Sequence, residues 1–475
     1  MSISIILGIF ILGYLLIALE GYLEISKSAI ALIMCVLLWV VYSFNAIDLV
    51  PTVSSDLFHL YLEENTYLAK LPLNEQVTQF VVNFQIVDHL GKAAEVLLFL
   101  IGAMTIVNLI DKHGGFSFIT SVITTKNKYK LLWIVMTISF FMSALLDNMT
   151  ATIIMVMLLR KLISNKKERW LFASLIVITA NSGGAWSPIG DVTTIMLWAN
   201  GNVTSLPLIE SLFLPSVISA VIPVAIGGRV LRKILTEPTY VEGESDRPES
   251  VTKKESLKIL IIGVLSLVLI PVFKELTQLP PFLGVMLGLG ILWVYTEVMY
   301  NKKHDVAESK KIRIVQVLRD VDLATILFFL GVLMSVSVLE ASGVLKTFSH
   351  FLDNSVNDIF VINILIGLLS SIVDNVPLVA SAMGMYSIVE PNALLTATNP
   401  EYLKYFVVDG HFWHLLAYCS GVGGSILIIG STAGVVAMGI EKISFMWYFK
   451  NFTFLALIGY TSGIIVYFLQ FLLFQ

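Results

Sequence analysis

Charge is what this chain has least of. Charged residues make up 13% of its 475 residues and hydrophobic ones 57%, whereas a soluble domain carries about a quarter charged residues. That balance excludes an ordinary soluble fold. Cysteine is also scarce. Cys35 and Cys419 both lie in apolar segments, which leaves no disulfide framework and no thiolate metal site. No Walker A, GxGxxG, HExxH or Cys/His metal spacing stands in a convincing context, so no cofactor and no ATP hydrolysis are expected. A nucleic-acid partner is not expected either. The N-terminus lacks a basic n-region and a small-residue cleavage site, so Ile3–Leu19 is expected to be a retained span and not a signal peptide.

What the chain has instead is apolar runs of bilayer length, such as Leu257–Phe273 and Pro281–Tyr300. They predict an all-α polytopic membrane protein whose first partner is the lipid bilayer. Lys and Arg cluster at Lys112 to Lys130, Arg160 to Arg169, Arg229 to Lys258 and Lys302 to Arg319, and the positive-inside rule places all four on the cytoplasmic side. Asn45–Leu90 is mainly acidic, with Asp48, Asp56, Glu63, Glu64 and Glu75, and fits the outside. The predicted path has spans near 3–20 and 27–43, an amphipathic surface helix over Gln76–Leu90, and a span near 92–111.

Inside this apolar sequence a polar interruption occurs twice. Ser143-Ala144-Leu145-Leu146-Asp147-Asn148 recurs as Ser370-Ser371-Ile372-Val373-Asp374-Asn375, and each is followed by a Gly-Gly stretch, Gly183-Gly184 and Gly423-Gly424. Segment 130–160 has basic residues at both ends. Its length, about 30 residues, equals one crossing of ~45 Å or two half-crossings. Two cytoplasmic ends require an even number of crossings, so a re-entrant hairpin with Asp147-Asn148 at its tip is expected. Segment 358–390 has cation-poor flanks and is expected to enter from outside. The copies keep register: Asp147 and Asp374 stand 227 residues apart, as Asn148 and Asn375 do, and Gly183, Gly184 and Gly190 stand 240 from Gly423, Gly424 and Gly430.

The expected architecture is therefore two inverted repeats, each with a re-entrant hairpin and a broken transmembrane helix. In chain order, 1–91 holds N-terminal scaffold spans and the external amphipathic segment. The first repeat is 92–232, with hairpin 130–160 and broken helix 169–200. A cytoplasmic linker occupies 233–257. The second repeat, 258–475, has hairpin 358–390, broken helix 412–440 and a C-terminal scaffold span.

Asp147 and Asp374 are the sharpest site candidates. A carboxylate at bilayer depth costs roughly 2.5–3.5 kcal/mol, and desolvation disfavours its charged form. A proton or a nearby cation each relieves that penalty, and the two compete, which is the physical basis of cation/proton exchange. The plainer role of Asp and Asn here, capping a hairpin tip, is compatible with it. The breaks at Gly183-Gly184, with Pro188, and at Gly423-Gly424 expose backbone carbonyls, and Ser182, Ser425 and Ser431 add hydroxyls of the kind hard cations take. With Asn148 and Asn375 these make the expected cation ligand set. Asp191 is a third acid, and Ser431 stands in its place in the second half, so negative charge is weighted toward the first half. Glu95 and Asp191 are expected to relay or tune protons. His89 is a candidate pH sensor, with an interfacial role as its plainer alternative. A membrane aspartyl protease also needs two intramembrane acids, but its Gly-x-Gly-Asp signature is missing: the chain has Pro188-Ile189-Gly190-Asp191. No enzymatic activity is expected.

At Ser143–Met155, Asn181–Thr194, Ser370–Met385 and Gly421–Gly434 the chain resembles the ion transporter superfamily, and within it the NhaD-type sodium/proton antiporters. Dicarboxylate carriers of that superfamily place Ser-Asn-Thr at both hairpin tips. Here the triplets are Asp147-Asn148-Met149 and Asp374-Asn375-Val376, and an acid at each tip repels an anion and favours a cation. The resemblance implies Na⁺ or Li⁺ leaving against entering H⁺, a bacterial inner membrane, a division into scaffold and transport domains, and a homodimer. An anion or arsenite carrier of the same superfamily is the alternative.

Overall fold

The computed structural model describes residues 2–18, 25–116, 127–231, 248, 250–303, 307, 311–356, 358–372, 374–397 and 399–474. All regular structure among them is helical. The principal helices are α1 (Ser2–Ala18), α2 (Lys27–Val53), α3 (Ile86–Lys112), α4 (Lys128–Leu146), α5 (Asn148–Leu162), α6 (Lys166–Ala185), α7 (Val192–Ala199), α8 (Ser205–Leu231), α9 (Lys253–Val268), α10 (Ile270–Thr277), α11 (Pro281–Asn301), α12 (Leu323–Ala341), α13 (Val344–Ser355), α14 (Ile359–Ser370), α15 (Asn375–Met385), α16 (His411–Gly423), α17 (Thr432–Glu441), α18 (Phe445–Asn451) and α19 (Thr453–Phe474). Among the described residues, seven helical stretches are long and apolar enough to cross a bilayer, and eight if the bent pair α9–α10 counts as one span.

Several expected boundaries shift. No break separates a surface helix from the third span. Leu73–Phe80 continues through a π-helical turn, Val81–Gln85, into α3, which makes one 40-residue stretch. The extra residue of the π turn absorbs the change of face between the polar and apolar parts. The apolar run Leu257–Phe273 bends by 41° between α9 and α10, where Pro271 cannot donate to the helix ladder. The last span is divided at Phe452 into α18 and α19. Most of the expected linker 233–257 lies outside the described residues. Its described end is a capping box in which Thr252 and Glu255 satisfy each other's backbone donors and start α9.

The residues form two compact units. The first comprises Met1–Leu97, Asp322–Ile362 and Val376–Ile388. Its core is the lengthwise pairing of α2 with α12, fastened by Ser28 Oγ to the Ala324 carbonyl at 2.7 Å and by Trp39 Nε1 to the Met334 carbonyl at 3.0 Å. Tyr42 donates to Gln85 at 2.9 Å in its interior.

The second unit comprises Leu98–Val321, Asn363–Asn375 and Val389–Gln475. Here α6 is central and packs on α4, α5, α8, α16 and α17. Its residues Phe172–Ala185 are buried without interruption, as a helix surrounded by other helices must be. A buried ion pair, Lys128 to Glu168 at 2.6 Å, joins the starts of α4 and α6.

Candidate functional site

Each polar interruption breaks its helix where expected. Asp147 adopts φ 76° and separates α4 from α5. This is a costly conformation for a residue with a side chain, and the carboxylate offsets it by capping α5. It accepts from the Thr150 backbone N–H and from Thr150 Oγ1, both at 2.8 Å. In the second copy α14 ends at Ser370 and α15 starts at Asn375, with Asp374 immediately before it. The later segments break as well. α6 stops at Ala185 and α7 starts after Asp191, while α16 stops at Gly423 and α17 starts after Ser431.

Corresponding glycines bring the breaks together within the second unit. A Cβ built on Gly183 would lie 2.2 Å from the Phe140 carbonyl oxygen, and one on Gly423 would lie 2.2 Å from that of Gly367. Only glycine permits such backbone contact. Serine hydroxyls tie the same pairs of helices: Ser143 donates to the Ala180 carbonyl at 2.6 Å, and Ser370 to the Ser420 carbonyl at 2.7 Å.

What these breaks hold between them is one carboxylate. Asp191 is 1% exposed. Its Oδ2 accepts from Asn148 Nδ2 at 2.8 Å. Asn375 Nδ2 donates to both of its oxygens, at 3.3 and 3.2 Å. Oδ1 also accepts from the Thr193 backbone N–H at 3.1 Å, in a capping box closed by Thr194. Asn148 donates in addition to Asn181 Oδ1 at 3.0 Å, and Asn181 donates to Ser431 Oγ at 2.9 Å. The chain Asn375–Asp191–Asn148–Asn181–Ser431 is thus a continuous buried network contributed by both copies. Asp374 and Asp147 lie within electrostatic range of Asp191. Among the described residues the donors to this carboxylate are neutral, and a buried carboxylate without a positive partner is the kind of group that a proton or a small cation relieves.

The expected ligands are thereby sorted. Asn148, Asn375, Ser431 and Asp191 are in the network, and Asp191 is at its centre and not at its margin. Asp147 flanks it as a helix cap. Ser182 and Ser425 point elsewhere: Ser182 donates to the Ile178 carbonyl and meets Ser219 Oγ, each at 2.9 Å, and Ser425 donates to the Val422 carbonyl at 2.7 Å. Both satisfy helix backbone at the breaks. His89 and Glu95 belong to the first unit, where the His89 ring lies 6.1 Å from that of Trp39. Among the described residues no group of three or more His, Cys, Asp or Glu side chains could hold a metal ion. A binding set here would combine a carboxylate with amide and hydroxyl oxygens.

Asn181 was missing from the expected set. Its position two residues before Gly183-Gly184 was the available signal, since a side chain at a helix break faces the break. Its counterpart by the 240-residue offset is Gly421, where a Cβ would stand 3.4 Å from Asp191 Oδ2. The second copy gives up a side chain there, and the carboxylate of the first copy takes the space.

Known proteins align with this chain over nearly its whole length. The family described as citrate transporter, CitMHS, matches residues 14–401. Sodium/proton antiporter 1 of Arabidopsis thaliana is 40% identical over 97% of this chain and 71% of its own length. Sodium/proton antiporter 2 of the same plant is 38% identical over 97% of both chains. The Na(+)/H(+) antiporter NhaD of Vibrio cholerae is 30% identical over 97% of this chain and 90% of its own.

Proposed function

This chain belongs to the CitMHS family, together with the NhaD-type sodium/proton antiporters, and from that premise we propose that it exchanges cytoplasmic Na⁺ or Li⁺ for external H⁺ by alternating access. The observation that carries this reading is the buried Asp191 carboxylate gripped by Asn148 and Asn375. In the proton-loaded state Asp191 is neutral. In the cation-loaded state it is ionised and shares the ion with oxygens. Each asparagine that donates an amide N–H here carries a carbonyl oxygen on the same group, and turning the amide presents that oxygen to a cation. Proton and cation compete for one charge, so binding one expels the other. Apart from the O–H bond made and broken as Asp191 takes and releases its proton, transport of this kind involves no covalent change.

The family description names citrate, and an anion carrier is the second reading. Asp191 with Asp147 and Asp374 in range opposes it, because three acids would repel a polyanion unless all were protonated.

We read the two copies as inverted repeats with re-entrant hairpins. The paired contacts of Gly183 with Phe140 and Gly423 with Gly367, at offsets of 240 and 227 residues, support this. So do the lengths of α5, α14 and α15, at 15, 12 and 11 residues, each short of the ~20 needed to span a bilayer, whereas α4, at 19 residues, is long enough to cross. The proposed setting is a bacterial inner membrane, with the protein as a homodimer.

Everted vesicles energised by respiration test the function. Adding NaCl or LiCl should collapse ΔpH in vesicles that carry the protein. No collapse with either salt, with the protein well inserted, would sink the antiport reading. Collapse unchanged in Asp191→Asn vesicles would sink the site assignment alone.

A further inference from the structure

A second surface of the unit that holds Asp191 gathers positive charge beside exposed apolar side chains. The turn between α5 and α6 meets the turn between α17 and α18. Glu441, with a fully buried side chain, accepts from Arg160 Nε at 2.8 Å and Arg169 Nε at 3.0 Å. Trp170 Nε1 donates to the Glu441 carbonyl at 2.9 Å, and the Trp170 and Trp447 rings pack edge to face at 5.1 Å. Lys166 Nζ stands 5.5 Å from the Trp170 ring.

Charge at this junction is one-sided. The acids of 160–170 and 441–451 are Glu168 and Glu441, both buried and both already paired. One carboxylate between two guanidiniums leaves a positive surplus. Lys166, Lys167, Lys442 and Lys450 are exposed, and among the described residues no carboxylate pairs with any of them. Beside these cations α18 exposes Phe445, Met446 and Phe449, at 37%, 52% and 48%. A cationic rim beside exposed apolar side chains and a pair of tryptophans suits the boundary between headgroups and acyl chains. The positive-inside rule puts that boundary on the cytoplasmic side.

We propose that this junction binds an anionic phospholipid of the cytoplasmic leaflet. Its phosphate would sit among Lys166, Lys167, Lys450 and the Arg160 guanidinium, and its acyl chains would lie over Phe445, Met446 and Phe449. Complementary charge selects the headgroup, and the exposed apolar face distinguishes a lipid from a free phosphate ion. The bound lipid joins α5, α6 and α18 at the end of the unit that holds Asp191. This inference does not depend on which ion is transported.

The test uses the purified full-length protein in detergent, supplied with phosphatidylglycerol, phosphatidylcholine or inorganic phosphate. Native mass spectrometry counts retained lipid, and thermal unfolding reports stabilisation. Phosphatidylglycerol should be retained and should stabilise, while phosphatidylcholine and inorganic phosphate should not. Each lysine removed should weaken retention by about fivefold, so the combined K166Q/K167Q/K450Q variant should lose about a hundredfold. K253Q/K254Q, at another basic cluster, should behave as wild type. Equal retention of the two lipids, or an undiminished affinity in the triple variant, would overturn the proposal. Equal stabilisation by inorganic phosphate would assign the site to a free anion and also overturn it. If the triple variant does not fold, the single variants supply the same comparison at about fivefold each.

Discussion

Asn375 donates its side-chain amide to both oxygens of Asp191, across 184 residues of sequence and from the second Asp-Asn interruption to the glycine break of the first half. The hydrogen bond ties the second interruption to the one acid found only in the first half.

Removing that donor should weaken the site without emptying it. Asn375→Ala takes one amide donor, shared between the two oxygens, from a charged group, a loss of roughly 1.5–3 kcal/mol. The half-saturating Na⁺ concentration for ΔpH collapse should therefore shift about tenfold to a hundredfold. Asn148→Ala should do the same. Combining the two should depart from additivity, because both act on one carboxylate. Strict additivity would show that the two amides do not share it.

Asp191→Asn should abolish exchange at every Na⁺ concentration, while Asp147→Asn should leave part of it. The Asp147 carboxylate caps α5 through Thr150, and an asparagine retains a capping oxygen. Rates from proteoliposomes that contain equal amounts of each variant decide this. An Asp191→Asn variant that still exchanges would displace Asp191 from the centre of the network.

The close backbone contacts should tolerate no methyl group. Gly183→Ala and Gly423→Ala each place a Cβ 2.2 Å from a carbonyl oxygen, and the required movement should cost at least about 1–3 kcal/mol. Gly439→Ala, inside α17 with nothing within 4 Å of its Cβ, should cost nothing and add up to about 1 kcal/mol of helix propensity. Thermal unfolding in detergent separates the two classes.

A loop clasp should make stability fall in acid. Asp409, before α16, accepts from the Thr204 backbone N–H at 2.6 Å and from Thr204 Oγ1 at 2.7 Å, and lies 3.5 Å from His414 Nε2. Burial by itself would raise its pKa, but the nearby His414 ring and the two Thr204 hydrogen bonds outweigh it and hold the carboxyl below its usual value. A lowered folded-state pKa contributes stability above the unfolded value, about 4, that is lost as pH falls through the lower one. Asp409→Asn should cost about 1 kcal/mol at neutral pH after solvent screening. It should also flatten the decline of melting temperature between pH 5 and 2. An unchanged decline would show that other carboxylates control it.

Much of this arrangement was legible in order along the chain. Asp147 and Asn375 end and begin helices because Asp and Asn satisfy backbone donors locally, and that preference is a property of the residue and its neighbours. Gly183 and Gly423 marked the breaks for the same local reason. Ser182 and Ser425 spend their hydroxyl hydrogens on their own helices, because a hydroxyl next to a break has two outlets, the site or the preceding turn of its own helix, and spacing does not separate them. Asp191 was expected to relay or tune protons, a third acid with no acidic counterpart in the second half. That asymmetry is what makes it central, since Gly421 leaves it room.

By itself the sequence determined that this is a multi-pass helical membrane protein, with polar breaks at two related places, because hydrophobicity and helix breaking act over a few turns of chain. Only the tertiary structure decided which oxygens and amides meet. Contacts such as Asn375 to Asp191 and Asn181 to Ser431 join positions far apart in the chain, and they follow from how closely glycine lets the helices approach. No local pattern encodes that distance.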